Sequence, residues 1–259
     1  MNKAEQIRQS LKQKGVLVMP GVYDALSAKI AVRAGFEVIF ITGYSVSATL
    51  LGEPDFGILT QTEVLSAAQR ICSVAPTPVI VDADTGYGNA INVIRTVKEL
   101  IRAGAAGMFL EDQVWPKRCG HMKGKQVIPL EEHLKKLTAA IDARGSDDLY
   151  IVARTDARQA LGLKDAIERG IAFKKLGADE QGRDEGDRSE RARSARRQHD
   201  RARSDAVDGT RGVERPGLST YRLAVGTVVR VGESFERCLY RFKDEGDDTG
   251  NYEPAGFFR

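Results

Sequence analysis

The amino-acid sequence predicts an α/β fold of the (β/α)8, TIM-type barrel class. Three observations lead to this prediction: short apolar runs alternate with helical patterns, polar residues follow the apolar runs, and no glycine-rich nucleotide fingerprint follows the first run. With 259 residues, 42% of them hydrophobic, the chain is long enough to bury the core of such a barrel.

The alternation of strand and helix patterns runs from residue 16 to residue 155. Apolar runs rich in β-branched residues predict strands covered on both faces, and these runs span 16–21, 37–43, 77–86, 105–112 and 149–155. Segments of helical character lie between them, at 22–35, 60–75, 89–104 and 129–145. Most of these helical segments end at a glycine, which is a frequent C-terminal signal. Such a repeat forms either a doubly wound sheet or a barrel.

Polar residues at the carboxyl ends of the runs favour the barrel. These residues are Thr42, Gly43, Asp82, Asp84, Glu111, Asp112, Arg154, Thr155 and Asp156. A barrel keeps its active site at the carboxyl ends of its strands. A nucleotide-binding sheet would instead carry a glycine fingerprint between its first strand and first helix, and the segment PGVYDA (20–25) lacks one.

Charge and cysteine content narrow the class of protein. A formal net charge of +3 gives no strong field for nucleic acid or an anionic membrane, so we expect neither as a partner. Three widely spaced cysteines are typical of reduced thiols in a cytoplasmic enzyme. The start of the sequence is charged where a signal peptide would be apolar, and no stretch approaches the roughly 20 apolar residues of a membrane span. We expect a soluble, cytoplasmic protein.

Three acids are candidates for a metal site. Asp82 and Asp84 are two positions apart, so on a strand both side chains would point to the same face, and Glu111 at the end of the next strand could join them. Converging carboxylates repel one another unless a positive group lies among them, and a hard divalent cation, Mg²⁺ or Mn²⁺, meets that need. The alternative is that these acids cap the following helices through backbone amides.

Cys119 is a candidate for chemistry because its neighbours are basic. Lys117, Arg118 and His121 surround it in a glycine-containing segment, and such surroundings favour the thiolate, which can exchange a proton with a substrate. A Zn²⁺ site is a rival interpretation with few ligands nearby, and a basic surface loop with an incidental cysteine is another. His133 lies in a charged helical segment and is expected to face solvent.

The sequence resembles the isocitrate lyase and phosphoenolpyruvate mutase superfamily in four motifs that occur in order: PGVYDALSAKIAVRAGF, DADTGYGNA, LEDQVWPKRCGH and ARTDA. Within it, the resemblance is to 2-methylisocitrate lyase-like and carboxyphosphonoenolpyruvate phosphonomutase-like members. It extends from the first predicted strand to Asp179 and implies a magnesium site formed by Asp82 and Asp84, with Glu111 in the water shell of the ion. It also implies a substrate-binding site formed by Thr42, Gly43, Tyr44, Gly120 and Arg154, of which Thr42, Gly43, Tyr44 and Arg154 bind a carboxylate.

The resemblance further implies a catalytic loop and a reaction. Cys119 would be the proton donor of the loop, which also contains Lys117, Gly120 and His121, and Asp55 would lie near the substrate. The implied reaction is Mg²⁺-dependent carbon–carbon cleavage of a 2-hydroxy- or 2-oxo-dicarboxylate or tricarboxylate through a pyruvate-like enolate. A phosphonomutase reaction is the alternative, because both groups share the KRCGH segment. A small anionic carboxylate is the implied substrate, and the family commonly forms homo-oligomers.

The sequence changes character after Asp179. The family continues there into a sixth apolar strand, whereas this chain continues with EQGRDEGDRSERARSARRQHD, whose dense mixed charge predicts a solvated or disordered segment. We therefore divide the chain into a barrel portion at 1–179, incomplete after its fifth strand, and a divergent tail at 180–259. A divergent tail that binds a partner and a charge-paired helix that replaces barrel strands are two possible explanations, but we favour the hypothesis of a reading-frame shift near codon 180. An inactive truncated product is then the alternative to an enzyme.

Overall fold

The computed structural model describes residues 2–119 and 122–179 and the backbone of residues 229–231. Met1, Gly120, His121 and the predicted tail apart from residues 229–231 lie outside the described residues. In chain order the elements are α1 (Lys3–Lys14), β1 (Leu17–Met19), β2 (Gly21–Val22), α2 (Ala25–Arg33), β3 (Ile39–Ile41), α3 (Gly43–Leu50), α4 (Gln61–Val74), β4 (Val79–Asp82), α5 (Ala90–Arg102), β5 (Gly107–Glu111), α6 (Leu130–Arg144), β6 (Tyr150–Arg154), α7 (Ala157–Ala160), α8 (Leu163–Leu176) and β7 (Val229–Val231).

The main sheet confirms the predicted fold class. Its parallel strands follow one another in chain order, β2-β3-β4-β5-β6, with helices between them. This order fits a barrel wall, whereas the strand order of a doubly wound sheet reverses part-way. The first predicted strand is divided at Pro20 into β1, which pairs antiparallel with β7, and β2, which begins the parallel sheet.

Alternate residues of the strands pack into two separate apolar clusters. Ile39, Ile41 and their counterparts on the neighbouring strands pack under the surrounding helices. Phe40, Ile80 and their counterparts point to the opposite face, where they pack against α1 through residues that include Ile7. Because successive strand side chains point to opposite faces, a strand buried on both faces is apolar throughout, as the sequence pattern indicated.

Several helices begin at side chains that satisfy their first backbone amides. The Thr60 hydroxyl accepts from the Glu63 amide at the start of α4, while the Glu63 carboxylate accepts from the Thr60 amide. Asp24 and Ser27 form the same reciprocal arrangement at the start of α2. No helix in the described ranges is long and apolar enough to cross a membrane.

Asp179 joins three parts of the fold. Its carboxylate accepts hydrogen bonds from the Ile151 amide at 3.0 Å, from Arg144 Nη1 at 2.5 Å and from Arg8 Nε at 3.1 Å. Its own amide donates to the Ile151 carbonyl at 3.1 Å. The carboxylate therefore links α1, the end of α6 and the edge of β6.

Substituting Asp179 should test this linkage. We expect Asp179→Ala to lower the free energy of unfolding by about 1–3 kcal/mol, because the Arg144 and Ile151 donors lose a partly buried charged acceptor. Urea denaturation of the full chain measures the change, and Asp147→Ala, at an exposed position, is the matched control. Equal stability of the two variants would contradict the role of Asp179.

His133 is buried, so the prediction that it faces solvent is wrong. The side chain is 0% exposed, neither ring nitrogen has a hydrogen-bond partner, and the ring centroid lies 4.9 Å from that of Phe173. Burial, reinforced by the positive charges of Lys136 and Arg169, lowers the pKa of His133 to about 3. The charged residues around His133 suggested an exposed position, but the side of α6 that carries His133 packs against α8.

This buried histidine should make the fold sensitive to acid. The unfolded chain binds a proton at His133 below the usual pKa of about 6.5, whereas the folded chain binds it only near pH 3, so stability falls as pH drops through that window. We expect a contribution of up to about 1.4 kcal/mol per pH unit that His133→Leu removes. Urea denaturation at pH 7.5 and pH 5 measures it, and equal losses for the two proteins would be contrary to expectation.

Candidate functional site

The carboxyl ends of β3, β4 and β5 and the start of α3 converge at one place. A Cβ atom at Gly43 would lie 3.5 Å from both Asp82 Oδ2 and Asp84 Oδ1 and 3.7 Å from Lys117 Nζ. Asp82 and Asp84 are both buried, and so is Glu111 at the end of β5. Acids separated in sequence are thus gathered with the first residue of α3.

Asp82 and Asp84 meet through a turn and not along a strand. Strand β4 ends at Asp82, and Asp84 adopts the left-handed conformation with φ 47°. The Asp84 amide donates to Asp82 Oδ1 at 3.2 Å, and the Asp84 carbonyl accepts from the Glu111 amide at 2.8 Å. The reasoning from strand periodicity is therefore wrong, because the backbone bends after Asp82.

Lys117 supplies positive charge inside this group of acids. Its Nζ lies 2.5 Å from Asp55 Oδ2 and 2.8 Å from Asp84 Oδ1, and all three side chains are buried. Burial lowers the pKa of Lys117, but the negative charges of Asp84, Asp82, Asp55 and Glu111 raise this pKa by a larger amount, so the net shift is upward. The lysine therefore stays charged at neutral pH and lies directly on two of the acids.

Arg154 pairs with Glu111 because the sheet register places the two opposite each other on β6 and β5. Arg154 Nη1 lies 3.1 Å from Glu111 Oε2, and Nη2 lies 3.1 Å from Asp156 Oδ2. Burial lowers the pKa of Arg154, but Glu111 and Asp156 raise it more. The Arg154 side chain as a whole is about one third exposed.

The acids of this cluster remain incompletely satisfied. Asp84 Oδ2 is buried without a hydrogen-bond partner, and the Lys117 contact at Oδ1 is an ion pair without hydrogen-bond geometry. Burial raises the pKa of Asp84 to about 7 and that of Glu111 to about 8, the charge of Asp82 raises both further, and Lys117 and Arg154 oppose the rise. The site therefore holds more buried negative charge than its cations balance.

A hard divalent cation fits this donor set. All the candidate ligand atoms are carboxylate oxygens, the atoms that Mg²⁺ and Mn²⁺ prefer, and the unpartnered Asp84 Oδ2 is available to one. In the described ranges, however, no three Asp, Glu, His or Cys side chains already surround a point as metal ligands. Lys117 Nζ lies 2.8 Å from Asp84 Oδ1, so a cation would compete with the lysine for Oδ1 but not for Oδ2.

The segment that contains Cys119 lies against the same cluster. Cys119 is 8% exposed. The Gln113 side chain accepts from the Arg118 amide at 3.0 Å and donates to the Arg118 carbonyl at 3.0 Å, which fixes the residue before the cysteine. Gln113 also donates to Glu111 Oε1 at 3.1 Å. Gln113 therefore joins the residue before Cys119 to Glu111, and Lys117 joins the same segment to Asp55 and Asp84.

Three of the predicted carboxylate-binding residues lie at the start of α3. Thr42 and Gly43 are buried, whereas Tyr44 is 44% exposed. Thr42 makes no side-chain hydrogen bond to the first amides of α3. Amides at a helix N-terminus can bind a carboxylate, so this end of α3 is suited to an anionic ligand.

Sequence reasoning missed the residues that support the site from behind. Asp112 is fully buried and accepts from Thr155 Oγ1 at 2.6 Å and from Arg169 Nη1 at 2.9 Å. Lys125 Nζ lies 2.6 Å from Asp156 Oδ1. Asp112, Thr155 and Asp156 carried a signal in their position after strands, but nothing in the local sequence marked Gln113, Lys125 or Arg169.

Comparison with known proteins assigns the family. The phosphoenolpyruvate phosphomutase family model matches residues 7–181 of the chain. The chain belongs to this family. The match confirms the predicted membership of the isocitrate lyase and phosphoenolpyruvate mutase superfamily.

Two curated relatives and one solved structure illustrate the similarity. The chloroplastic carboxyvinyl-carboxyphosphonate phosphorylmutase of Arabidopsis thaliana is 56% identical over 173 residues, which cover 65% of this chain and 51% of that protein. The 2,3-dimethylmalate lyase of Eubacterium barkeri is 50% identical over 179 residues, 69% of this chain and 62% of that one. A phosphonopyruvate hydrolase in complex with oxalate and Mg²⁺ is similar at a TM-score of 0.62 and 35% identity, over 69% of this chain and 62% of that one. The chain thus spans less than two thirds of each.

Replacing Lys117 should test how much its buried ammonium group stabilises the fold. We expect Lys117→Met to lower the free energy of unfolding at pH 7.5 by about 3–5 kcal/mol, because Asp55 and Asp84 would remain buried without their cation. Urea denaturation measures the loss, and Lys98→Met, at an exposed helical position, is the matched control. If Lys117→Met were as stable as the control variant, the ion pairs of Lys117 with Asp55 and Asp84 would contribute nothing to the free energy of unfolding.

Proposed function

We propose that this chain is a Mg²⁺-dependent carbon–carbon lyase that cleaves a small 2-hydroxy- or 2-oxo-dicarboxylate or tricarboxylate. The observation that carries the proposal is the group of buried, undercompensated carboxylates at the ends of β4 and β5, next to Arg154 and the Cys119 segment. Relatives named as a dimethylmalate lyase and as a phosphorylmutase support carbon–carbon or carbon–phosphorus chemistry.

Asp82 and Asp84 would hold the cation, with Glu111 in its water shell. The Mg²⁺ in the related phosphonopyruvate hydrolase supports this choice of metal, and Mn²⁺ has the same ligand preference. When bound, the ion would stabilise negative charge on the oxygens of a 2-oxo acid. Its charge would also compensate Asp84 and Glu111, whose pKa values burial raises.

The substrate carboxylate would lie between the start of α3 and Arg154. The backbone amides at Gly43 and Tyr44 would donate to it, and the Arg154 guanidinium would bind its oxygens. Oxalate in the related hydrolase supports a small carboxylate ligand. Asp55, together with Lys117, would contact the part of the substrate farther from Arg154.

Cys119 would act as the proton donor for the fragment that leaves. When the carbon–carbon bond of a 2-hydroxy acid breaks, the hydroxyl proton would pass to a carboxylate of the site and the hydroxyl oxygen would become the carbonyl of the 2-oxo acid. The electron pair of the broken bond would pass to the other fragment as a carbanion, and Cys119 Sγ would donate its proton to that carbon. Arg154 stabilises the charge on the remaining 2-oxo acid. We also propose that His121 contributes to this step and that Gly120 binds the substrate, as the sequence motif indicates.

A phosphonomutase activity is the second candidate, and a specific observation favours it. The Arabidopsis relative, which is 56% identical to this chain over the matched residues, is named as a phosphorylmutase. The same carboxylate-binding and cation-binding groups would serve a reaction that moves phosphorus between oxygen and carbon. Phosphorus NMR separates the two reactions, because only the mutase forms a carbon–phosphorus bond.

We retain the division of the chain at Asp179 as a proposal. The family match ending at residue 181 supports it, because the sequence similarity stops where the charged segment begins. The origin of the change in a reading-frame shift also stays a proposal, which resequencing the gene through codon 180 would test. An inactive product remains one outcome of the activity experiment.

The lyase should release pyruvate from at least one of three substrates. We would supply 2,3-dimethylmalate, 2-methylisocitrate and oxaloacetate with Mg²⁺ to the purified full chain and follow pyruvate by a coupled assay. We expect release that chelation abolishes, that Cys119→Ala reduces by about 100-fold or more, and that Cys72→Ala leaves unchanged. Cys72 lies in α4 outside the site, so it is the matched control.

Thermal unfolding with and without Mg²⁺ accompanies this assay. Cation binding to the folded state should raise the melting temperature of the wild type, and Asp84→Asn should reduce that rise. A cooperative transition without pyruvate release or carbon–phosphorus bond formation would contradict both activities. The absence of any cooperative transition would instead identify an inactive product.

A further inference from the structure

We propose that Gln113 is the positioning residue that holds the Cys119 segment against the acid cluster. The inference deepens the proposed function, because it concerns how the proton donor of that reaction is placed. Gln113 contacts no group to which we assign bond breaking or proton donation. It does contact Glu111, which we assign to the water shell of the cation. Its effect on Cys119 would pass through the backbone of Arg118.

The Gln113 side-chain amide forms hydrogen bonds with both backbone polar groups of Arg118. Its Oε1 accepts from the Arg118 amide, and its Nε2 donates to the Arg118 carbonyl, both at 3.0 Å. A backbone amide only donates and a carbonyl only accepts, so these two contacts fix which end of the side chain is oxygen. Both peptide groups flanking Arg118 are thereby held, including the one shared with Cys119.

The same amide nitrogen also reaches the acids. Nε2 lies 3.1 Å from Glu111 Oε1 and 3.0 Å from Asp156 Oδ2. Nε2 has two hydrogens for three acceptors, so these contacts share them. The Nε2 group that holds the Arg118 carbonyl therefore also contacts Glu111 and Asp156.

The segment is joined to the same carboxylate on its other side. The Val114 amide donates to the Gln126 carbonyl at 2.9 Å, and Gln113 faces Val127 in an antiparallel bridge, so the two arms of the segment run side by side. Lys125 on the second arm lies 2.6 Å from Asp156 Oδ1. Gln113 and Lys125 thus hold the two arms on the two oxygens of Asp156.

Burial makes Gln113 suited to this role. Its side chain is 1% exposed, and all of its polar atoms have partners. The apolar side chain of leucine would fill a similar space without any of these hydrogen bonds. Glutamate would keep the acceptor for the Arg118 amide but place another carboxylate beside Glu111 and Asp156. The two substitutions therefore remove different parts of the network.

Alkylation of Cys119 by iodoacetamide, followed by peptide mass spectrometry, tests the proposal on the full chain. We expect Gln113→Leu to raise the alkylation rate of Cys119 by about tenfold, because the hydrogen bonds that hold its neighbour are lost. Cys72 in the same sample reports global unfolding and should keep its rate. Gln126→Leu is the matched control, since Gln126 lies on the same segment with an exposed side chain.

Kinetics provide a second measurement. Misplacing the proton donor by about 1 Å should lower kcat of Gln113→Leu by about 100-fold with little change in KM, because Gln113 does not bind the substrate. Gln126→Leu should retain both constants. A rise in KM at constant kcat would overturn the assigned role.

A second variant covers the case in which Gln113→Leu unfolds and Cys72 also reacts faster. Gln113→Glu should then raise the alkylation of Cys119 alone. An unchanged Cys119 rate in a folded Gln113 variant, or an equal rise in Gln126→Leu, would overturn the proposal. If the alkylation pattern holds while no substrate is turned over, the positioning role stands and the proposed function fails.

Discussion

Burial of several carboxylates at one end of a parallel sheet is the constraint on which the rest of the site depends. Charges taken out of water are stable only beside opposite charge or strong hydrogen-bond donors. Lys117 and Arg154 provide part of that compensation. Because the pKa values of Asp84 and Glu111 stay raised, the compensation is incomplete, and the site is suited to a further cation.

The surrounding fold places these charges with little freedom. The register of β5 and β6 sets Glu111 opposite Arg154, and the turn after β4 brings Asp84 under the start of α3. Asp112 fixes the ends of the two strands to Arg169 of α8 from behind. Glu111 and Arg154 therefore lie on strands, whereas Asp84 and Lys117 lie on connections that follow strands, as is general in barrel active sites.

The predictability of each part follows from the range of the interactions involved. Local apolar patterns sufficed for the parallel strands, because a strand buried on both faces must be apolar throughout. They failed for His133, whose burial depends on how α6 packs against α8. They gave the wrong geometry at Asp84, because the end of a strand depends on backbone pairing with its neighbours.

The sequence by itself determined the α/β class, the family and the acids and thiol on which a site could be built, because periodicity and motifs are local properties of the chain. Only the tertiary structure decided what lies against them. Lys117 reaches Asp55 across 62 positions, and Gln113 reaches Asp156 across 43. Such contacts depend on strand register and loop path, which no short segment encodes, and they set the charge balance of the site.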